Sequence, residues 1–182
     1  MITELKNDID IYDTIKNHNR EDIFNSDCVK NSDNLFLFDK SKISIANEKK
    51  YEICDILTNS KQLIHVKKYK TGAASLSHIF TQAKLYSEAI IINSDTRKTM
   101  VDFMEQESNN VNSVNYGKNI DIFKEFLQLN ERLQEKDYTV VLCILTKEKI
   151  NYARSDTHFL LFLYDFFNAF ALFSCRTIDI KN

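Results

Sequence analysis

The sequence has almost no glycine and no proline: two glycines and no prolines occur among its 182 residues. No glycine-rich loop that could cradle phosphates is present, so binding of nucleoside triphosphates or dinucleotides is not expected. Apolar runs are short as well, and the longest candidate, residues 158–173, is interrupted by Asp165 and Asn168. A membrane-spanning helix needs about 20 apolar residues. We therefore expect no membrane role.

Export signals and closely paired cysteines are also missing. The first ten residues lack the basic start and apolar run of a secretory signal, so the chain is expected in the cytoplasm. Cys28, Cys54, Cys143 and Cys175 are far apart in the sequence, whereas zinc sites usually have closely spaced ligands. Buried free thiols are the expectation. Nothing in the sequence indicates a cysteine nucleophile.

The overall charge gives little attraction to nucleic acid. The formal net charge is −2, so contact with a phosphate backbone would need a local basic patch. The sequence contains such a patch, because Lys49 and Lys50 are basic and residues 61–70 are rich in lysine. The first 33 residues, in contrast, are rich in acids. Hydrophobic residues make up 43% and charged residues 27%, which is typical of a packed globular chain rather than a disordered one.

Hydrophobic periodicity predicts a polar, partly helical segment at residues 1–34, followed by a single mixed α/β domain at residues 35–182. Strand-like runs at 35–39, 43–45, 51–57 and 62–69 precede a helix at 75–90, with Ser75 as its N-cap. A helix at 96–106, a loop at 107–119, a helix at 121–136, a strand at 138–145, a helix at 158–173 and a strand at 176–180 follow. The fold class is therefore α+β (mixed α/β), with a central mixed sheet of about five strands and flanking helices.

Two neighbouring strands carry residue types that suit phosphodiester hydrolysis. Residues 51–57 and 62–69 are expected to pair as a hairpin, which brings Asp55 towards Lys67. Alternation along the second strand places His65 on the same face as Lys67. A carboxylate can hold Mg²⁺, and a lysine can stabilise the charge that develops on a phosphate. The hairpin is therefore the candidate site.

Three segments in and after this hairpin resemble a family of uncharacterised, sporadically distributed bacterial proteins associated with defence islands. They are Glu52–Asp55, Ile64–Lys68 and Ala74–Gln82. In that family they correspond to an E-x-C-D strand, an I-H-V-K strand and a Ser-Leu-Ser-His-Leu-Phe-x-Gln helix. The resemblance implies that residues 35–182 correspond to the C-terminal part of longer members. It departs after the helix glutamine, where the family tends to have glycine and this chain has Ala83.

The order of strands is similar to that of restriction-endonuclease-like nucleases, which have an αβββαβ core. This similarity implies that Asp55 is the main Mg²⁺ ligand, with Glu52 as a second carboxylate. It also implies that Lys67 orients water or stabilises charge on the phosphate. That superfamily normally has an acid two residues before the lysine, where this chain has His65. The implied activity is that of a metal-dependent nuclease-like domain acting on foreign or damaged nucleic acid.

The predicted site residues fall into two groups. The catalytic group is Asp55, His65, Lys67 and Gln82, with Asp55 and Glu52 as the metal ligands. The nucleic-acid-binding group is Lys61, Lys68, Lys70, Ser75, His78 and Tyr86. Gln82 and Tyr86 together resemble a Gln-x-x-x-Tyr helix element of one nuclease branch. On the helix, Ser75, His78, Gln82 and Tyr86 are spaced to form one polar stripe.

Other interpretations of the same residues remain open. The chain could be a non-catalytic nucleic-acid-binding module, or an assembly subunit whose aromatic helix at 158–173 contacts a protein partner or a second copy. Lysines on an edge strand also prevent pairing with other chains. A polar stripe is often only the solvated side of a helix.

Overall fold

The fold is described from a computed structural model over residues 20–38, 43–44, 50–51, 53–68, 74–128, 131–146 and 174–181. The helices are α1 (Glu21–Lys30), α2 (Ala74–Ile92), α3 (Ser94–Asn109) and α4 (Asp121–Leu127). The strands are β1 (Leu35–Leu37), β2 (Ile43–Ser44), β3 (Lys50–Tyr51), β4 (Ile56–Thr58), β5 (Gln62–Lys68), β6 (Thr139–Thr146) and β7 (Ser174–Lys181). The helix predicted at 158–173 lies outside the described residues.

One mixed sheet organises these elements, with strands in the order β1-β4-β5-β6-β7. β1, β4 and β5 are antiparallel neighbours, whereas β6 is parallel to both β5 and β7. β2 and β3 form a separate antiparallel pair. A parallel pair needs a long crossover, and the connection from β5 to β6 contains α2, α3 and α4. The mixed α+β class is confirmed, and the predicted hairpin is present as β4–β5. The predicted bounds of its first strand, 51–57, are wrong, because β4 is Ile56–Thr58 and residues 53–55 are not in a strand.

The sheet separates two hydrophobic clusters, because side chains alternate between the faces of a strand. The main cluster contains Leu57, Leu63, Val140 and Leu142 from the strands, together with residues of α2, α3 and α4. The second cluster contains Ile56, Ile64, Val66, Val141 and Cys143, and Phe24, Cys28 and Val29 of α1 pack onto them. β6 is therefore buried on both faces, as its continuous apolar run predicted.

The predicted bounds of two helices are wrong. α2 begins at Ala74, so Ser75 lies inside the helix rather than at its N-cap. The helix predicted at 121–136 ends at Leu127, because Gln128 adopts a left-handed conformation with φ of 31°. The hydroxyl of Tyr138 donates to the Phe126 carbonyl at 2.6 Å and satisfies part of this helix end. The apolar pattern in the sequence continues to Leu133 because Leu133, although it lies beyond the end of α4, is also buried in the main cluster.

The loop after α3 fastens both β1 and α1. The side chain of Asn115 is 2% exposed, and its amide pairs with Leu37 in the manner of a neighbouring strand. Its oxygen accepts from the Leu37 amide at 2.9 Å, and its nitrogen donates to the Leu37 carbonyl at 2.9 Å. Lys118 Nζ donates to the carbonyls of Val29 and Ser32 at 2.9 and 2.7 Å, at the end of α1. Burial lowers the pKa of Lys118.

Three buried thiols confirm the expectation for the cysteines. Cys28, Cys54 and Cys143 are buried and form no disulfide among the described residues; the side chain of Cys175 is outside the described set. Burial, with some repulsion from Asp27, raises the pKa of the Cys28 thiol to about 12. Burial also raises the pKa of Cys54 well above its ordinary value. Neither thiol is therefore activated as a nucleophile. Among the helices that the structure describes, none is long and apolar enough to cross a membrane.

A buried arginine joins the end of α2 to the segment before β6. Arg97 is 2% exposed, and its Nη1 donates to the carbonyls of Ile90 and Ile91 at 2.8 and 3.1 Å. Its Nη2 donates to the Glu131 carbonyl at 2.7 Å. The last carbonyls of a helix have no partner within the helix. Arg97 therefore satisfies backbone groups that would otherwise be buried without hydrogen bonds.

We expect Arg97→Met to lower the free energy of unfolding by about 3 kcal/mol, because three carbonyls lose a charged donor. Urea denaturation followed by circular dichroism measures the loss. Lys98→Met is the matched control, since it removes a cation from an exposed neighbouring position and should change stability by less than about 0.5 kcal/mol. Equal effects of the two substitutions would contradict this role of Arg97.

Candidate functional site

Asp55 lies immediately before β4, where it is held against β5. Its backbone amide donates to the Ile64 carbonyl at 2.9 Å, and its carbonyl accepts from the Phe38 amide at 2.8 Å. Its carboxylate oxygen Oδ2 accepts from the Val66 amide at 2.6 Å. The side chain is half-buried. The predicted acid is therefore anchored to the strand that carries the predicted lysine, one residue before Lys67.

A second carboxylate, which the sequence did not indicate, binds the same strand. Glu21 is the first residue of α1. Its Oε1 accepts from the Lys68 amide at 2.8 Å, and its Oε2 lies 3.1 Å from Lys67 Nζ. The side chains of Glu21 and Lys67 are 32% and 33% exposed. The ammonium group of Lys67 is thus paired with α1, across a separation of 46 residues.

The two carboxylates bracket Lys67 along one edge of β5. Alternate amides of a strand point to the same side, and those of Val66 and Lys68 bind Asp55 and Glu21. The rise per residue of a strand places these two amides roughly 7 Å apart. Two acids and one lysine therefore lie along residues 66–68 of β5. We call Glu21, Asp55 and Lys67 together the Glu21–Asp55–Lys67 site.

His65 is enclosed rather than open to solvent. It is 3% exposed, and its Nε2 has no hydrogen-bond partner among the described residues. Burial lowers the pKa of His65 from 6.5 to about 4, because the charged imidazolium loses its hydration. His65 is therefore neutral near pH 7. At the position where the nuclease pattern has an acid, this chain has an uncharged imidazole.

The predicted polar stripe on α2 is exposed to solvent in one part and packed against the core in another. His78 is exposed, Gln82 is half-buried, and His78 Nδ1 is 3.0 Å from Gln82 Oε1. Tyr86 is 6% exposed and belongs to the main cluster, so its ring faces protein. Ser75 lies in the first turn of α2. The hydrogen bond recorded for Gln82 joins it to His78 and not to the Glu21–Asp55–Lys67 site.

The remaining predicted residues are placed only in part. Lys61 is in the β4–β5 turn with φ of 63°, a left-handed conformation that favours glycine or asparagine. Lys68 ends β5, and Glu21 holds its amide. Glu52 and Lys70 lie outside the described residues. Within the described ranges, no group of three or more histidine, cysteine, aspartate and glutamate side chains forms a metal centre.

Glu21 was missed because its contacts are not visible in local sequence patterns. The acid-rich start of the chain contrasts with the basic hairpin in composition, but composition does not indicate a contact between them. An acid in the first turn of a helix is also favoured by the helix dipole, so Glu21 has an ordinary explanation in its own helix. Only the packing of α1 against the sheet shows that its carboxylate reaches β5.

Comparison with known proteins finds one family. The model of a family of unknown function, DUF6119, matches residues 1–163. No curated protein and no solved structure matches the chain. The expected membership of an uncharacterised family is therefore confirmed.

We expect the buried imidazole to make stability depend on pH. Between pH 6.5 and about 4 the unfolded chain binds a proton at His65 that the folded chain does not bind. The free energy of unfolding therefore falls as the pH falls through this range, by on the order of 3 kcal/mol. His65→Leu should remove that part of the decline, as measured by urea denaturation at a series of pH values. His78→Gln, which replaces an exposed imidazole, is the control and should retain it; a parallel decline in wild type and His65→Leu would contradict the expectation.

Proposed function

We propose that this chain, which belongs to the DUF6119 family of unknown function, is a metal-dependent nuclease-like domain that acts on nucleic acid. The observation that supports this proposal is the Glu21–Asp55–Lys67 site. Carboxylates from two separate elements and one ammonium group meet around residues 66–68 of β5. Phosphodiester hydrolysis needs both kinds of charge, one to hold a cation and one to stabilise the phosphate.

The order of elements supports the same proposal. α1, β1, β4, β5, α2 and β6 occur in this order along the chain, as helix, three strands, helix and strand, with α3 and α4 between α2 and β6. The three strands are antiparallel neighbours, and β6 is parallel to the third. The acid directly precedes the second of these strands, and the lysine lies in the third. This arrangement agrees with the αβββαβ order of restriction-endonuclease-like nucleases, with β2 and β3 as an addition between β1 and β4.

The three side chains of the site would have different roles. Asp55 and Glu21 provide the oxygen ligands that Mg²⁺ prefers, and Mg²⁺ is commonly held by only one or two carboxylates together with water and substrate phosphate. When bound, the ion supplies charge stabilisation and a more acidic water. Lys67 provides a positive charge for the phosphate. To do so, its ammonium group exchanges the Glu21 carboxylate for a phosphate oxygen.

The basic residues around the site supply the expected contact with the nucleic-acid backbone. Lys61 lies at one end of β5 and Lys68 at the other, and Lys70 follows in the sequence. Each lysine that neutralises a phosphate contributes to salt-dependent affinity without reading sequence. The resemblance to proteins associated with defence islands supports foreign nucleic acid as the target.

A non-catalytic nucleic-acid-binding module is the second candidate, and His65 is the observation that favours it. The imidazole at this position is buried and neutral, so it supplies no third negative charge for a cation. In this alternative, the lysines bind the phosphate backbone. Asp55 and Glu21 then only anchor β5 through its amides.

The nuclease proposal predicts that Asp55→Asn and Lys67→Met each reduce Mg²⁺-dependent cleavage by at least about 100-fold. Asparagine retains an acceptor for the Val66 amide, and a partly exposed ion pair contributes little to stability, so both variants should remain folded. Cleavage of labelled single- and double-stranded DNA and RNA oligonucleotides measures the loss. Lys84→Met removes an exposed lysine of α2 and serves as the control. Cleavage at wild-type rates by either site variant would remove the nuclease proposal.

The binding alternative predicts retention of oligonucleotides without cleavage. Fluorescence anisotropy should show affinity that falls as salt rises, and the double variant Lys61→Gln/Lys68→Gln should reduce the salt slope by up to about two. Lys84→Gln should leave the slope unchanged. Equal slopes for the double variant and the wild type would exclude these lysines from the contact.

A further inference from the structure

A buried polar side chain lies on α1, one helical turn after Glu21. Asn25 is 0% exposed. Neither its Oδ1 nor its Nδ2 has a hydrogen-bond partner among the described residues. A buried amide without partners is destabilising, because it gives up hydrogen bonds to water and gains none. Asn25 therefore calls for a physical explanation.

Its position on α1 relates it to Glu21. Residues four apart on a helix lie one above the other on the same face, so Asn25 follows Glu21 by one turn. Phe24, Cys28 and Val29 on either side of Asn25 pack in the second cluster, so this face of α1 is turned to the sheet. The polar pair of Glu21 and Asn25 thus forms a stripe that runs from the site into the core.

The Glu21 carboxylate already accepts two hydrogen bonds, one to each oxygen. A carboxylate has about four acceptor positions, so further donors can be accommodated. One water molecule between the residues could donate to Glu21 and bind both atoms of the Asn25 amide. Two to four polar partners are what an enclosed water needs.

We propose that Asn25 is a positioning residue of the site, which holds the Glu21 carboxylate in place through one enclosed water molecule. The effect of Asn25 on cleavage rests on the proposed function, whereas its effect on the position of the Glu21 carboxylate does not. When Lys67 leaves Glu21 to meet a phosphate, the carboxylate loses its cation. The Asn25 amide and its water then keep Glu21 on the Lys68 amide. Asn25 acts through Glu21 and does not touch the substrate.

Hydrogen exchange of two backbone amides in Asn25→Leu tests this role. Leucine is similar in size to asparagine, so the variant should fold, and its thermal unfolding temperature should change by no more than a few degrees. The Lys68 amide, which Glu21 holds, should nevertheless exchange faster, by about tenfold relative to the Val66 amide. The Val66 amide is the internal reference, because Asp55 holds it instead. Asn25→Ser, which retains a donor, should keep most of the protection of Lys68.

Ser87→Ala is the control for stability. The Ser87 hydroxyl is also fully buried and without a partner among the described residues, but it lies on α2. Its removal should not destabilise the protein and should leave the Lys68-to-Val66 exchange ratio unchanged. An Asn25→Leu protein with an unchanged ratio would overturn the proposal.

Cleavage assays connect this role to activity. Asn25→Leu should lower kcat by at least about tenfold with little change in KM, because substrate binding does not depend on the amide. Unchanged kcat in a variant with altered Lys68 exchange would overturn the connection. Absence of cleavage by the wild-type protein would remove the proposed function alone, since the exchange ratio still decides whether Asn25 positions Glu21.

Discussion

The Glu21–Asp55–Lys67 site exists because backbone amides on one edge of β5 require hydrogen-bond acceptors. β5 pairs with β6 along residues 62–68 on one side. On the other side, β4 pairs only with residues 63 and 64. The amides of Val66 and Lys68 extend past the end of β4, and buried or half-buried amides without acceptors are costly. Asp55 and Glu21 supply these acceptors. The same constraint that completes the sheet therefore brings two carboxylates to Lys67.

Local patterns in the sequence predict the parts of the fold that are determined locally. The alternation in β5 and the apolar run of β6 indicate strands because each face of the sheet is covered, and both strands are present. The end of α4 is different, since it depends on the left-handed Gln128 and on Tyr138, which lies beyond the helix. The contacts of Glu21 with Lys67 and of Arg97 with the Glu131 carbonyl are also hidden from sequence reasoning, because they join residues 46 and 34 positions apart.

Part of the candidate site was predictable because it is formed by residues close together in the sequence. Asp55 and Lys67 come from one hairpin, so pairing of adjacent strands was enough to bring them together. His65 was placed correctly in β5, but its burial depends on packing around that strand and is not visible in the hairpin alone. The stripe on α2 was inferred from spacing, and spacing cannot say where the boundary with the core lies. Tyr86 falls on the buried side of that boundary.

Buried polar groups in this protein differ in whether their hydrogen bonds are satisfied. Arg97 and Asn115 bind backbone groups and hold elements together, so they contribute to stability. Both amide atoms of Asn25 and the Nε2 atom of His65 have no hydrogen-bond partner among the described residues. These two residues lie four positions after Glu21 and two positions before Lys67. An apolar residue at either position would avoid the cost of burying a polar group that has no protein partner.

In the proposed nuclease, the charge of the site would limit how it holds a cation. Glu21, Asp55 and Lys67 together carry one net negative charge, whereas an acid in place of the neutral His65 would make it two. Fewer negative ligands weaken the affinity for a divalent ion. A phosphate that binds Lys67 both releases Glu21 from its ion pair and brings further anionic oxygens. Cation binding and substrate binding would then strengthen each other, because each supplies the charge that the other needs.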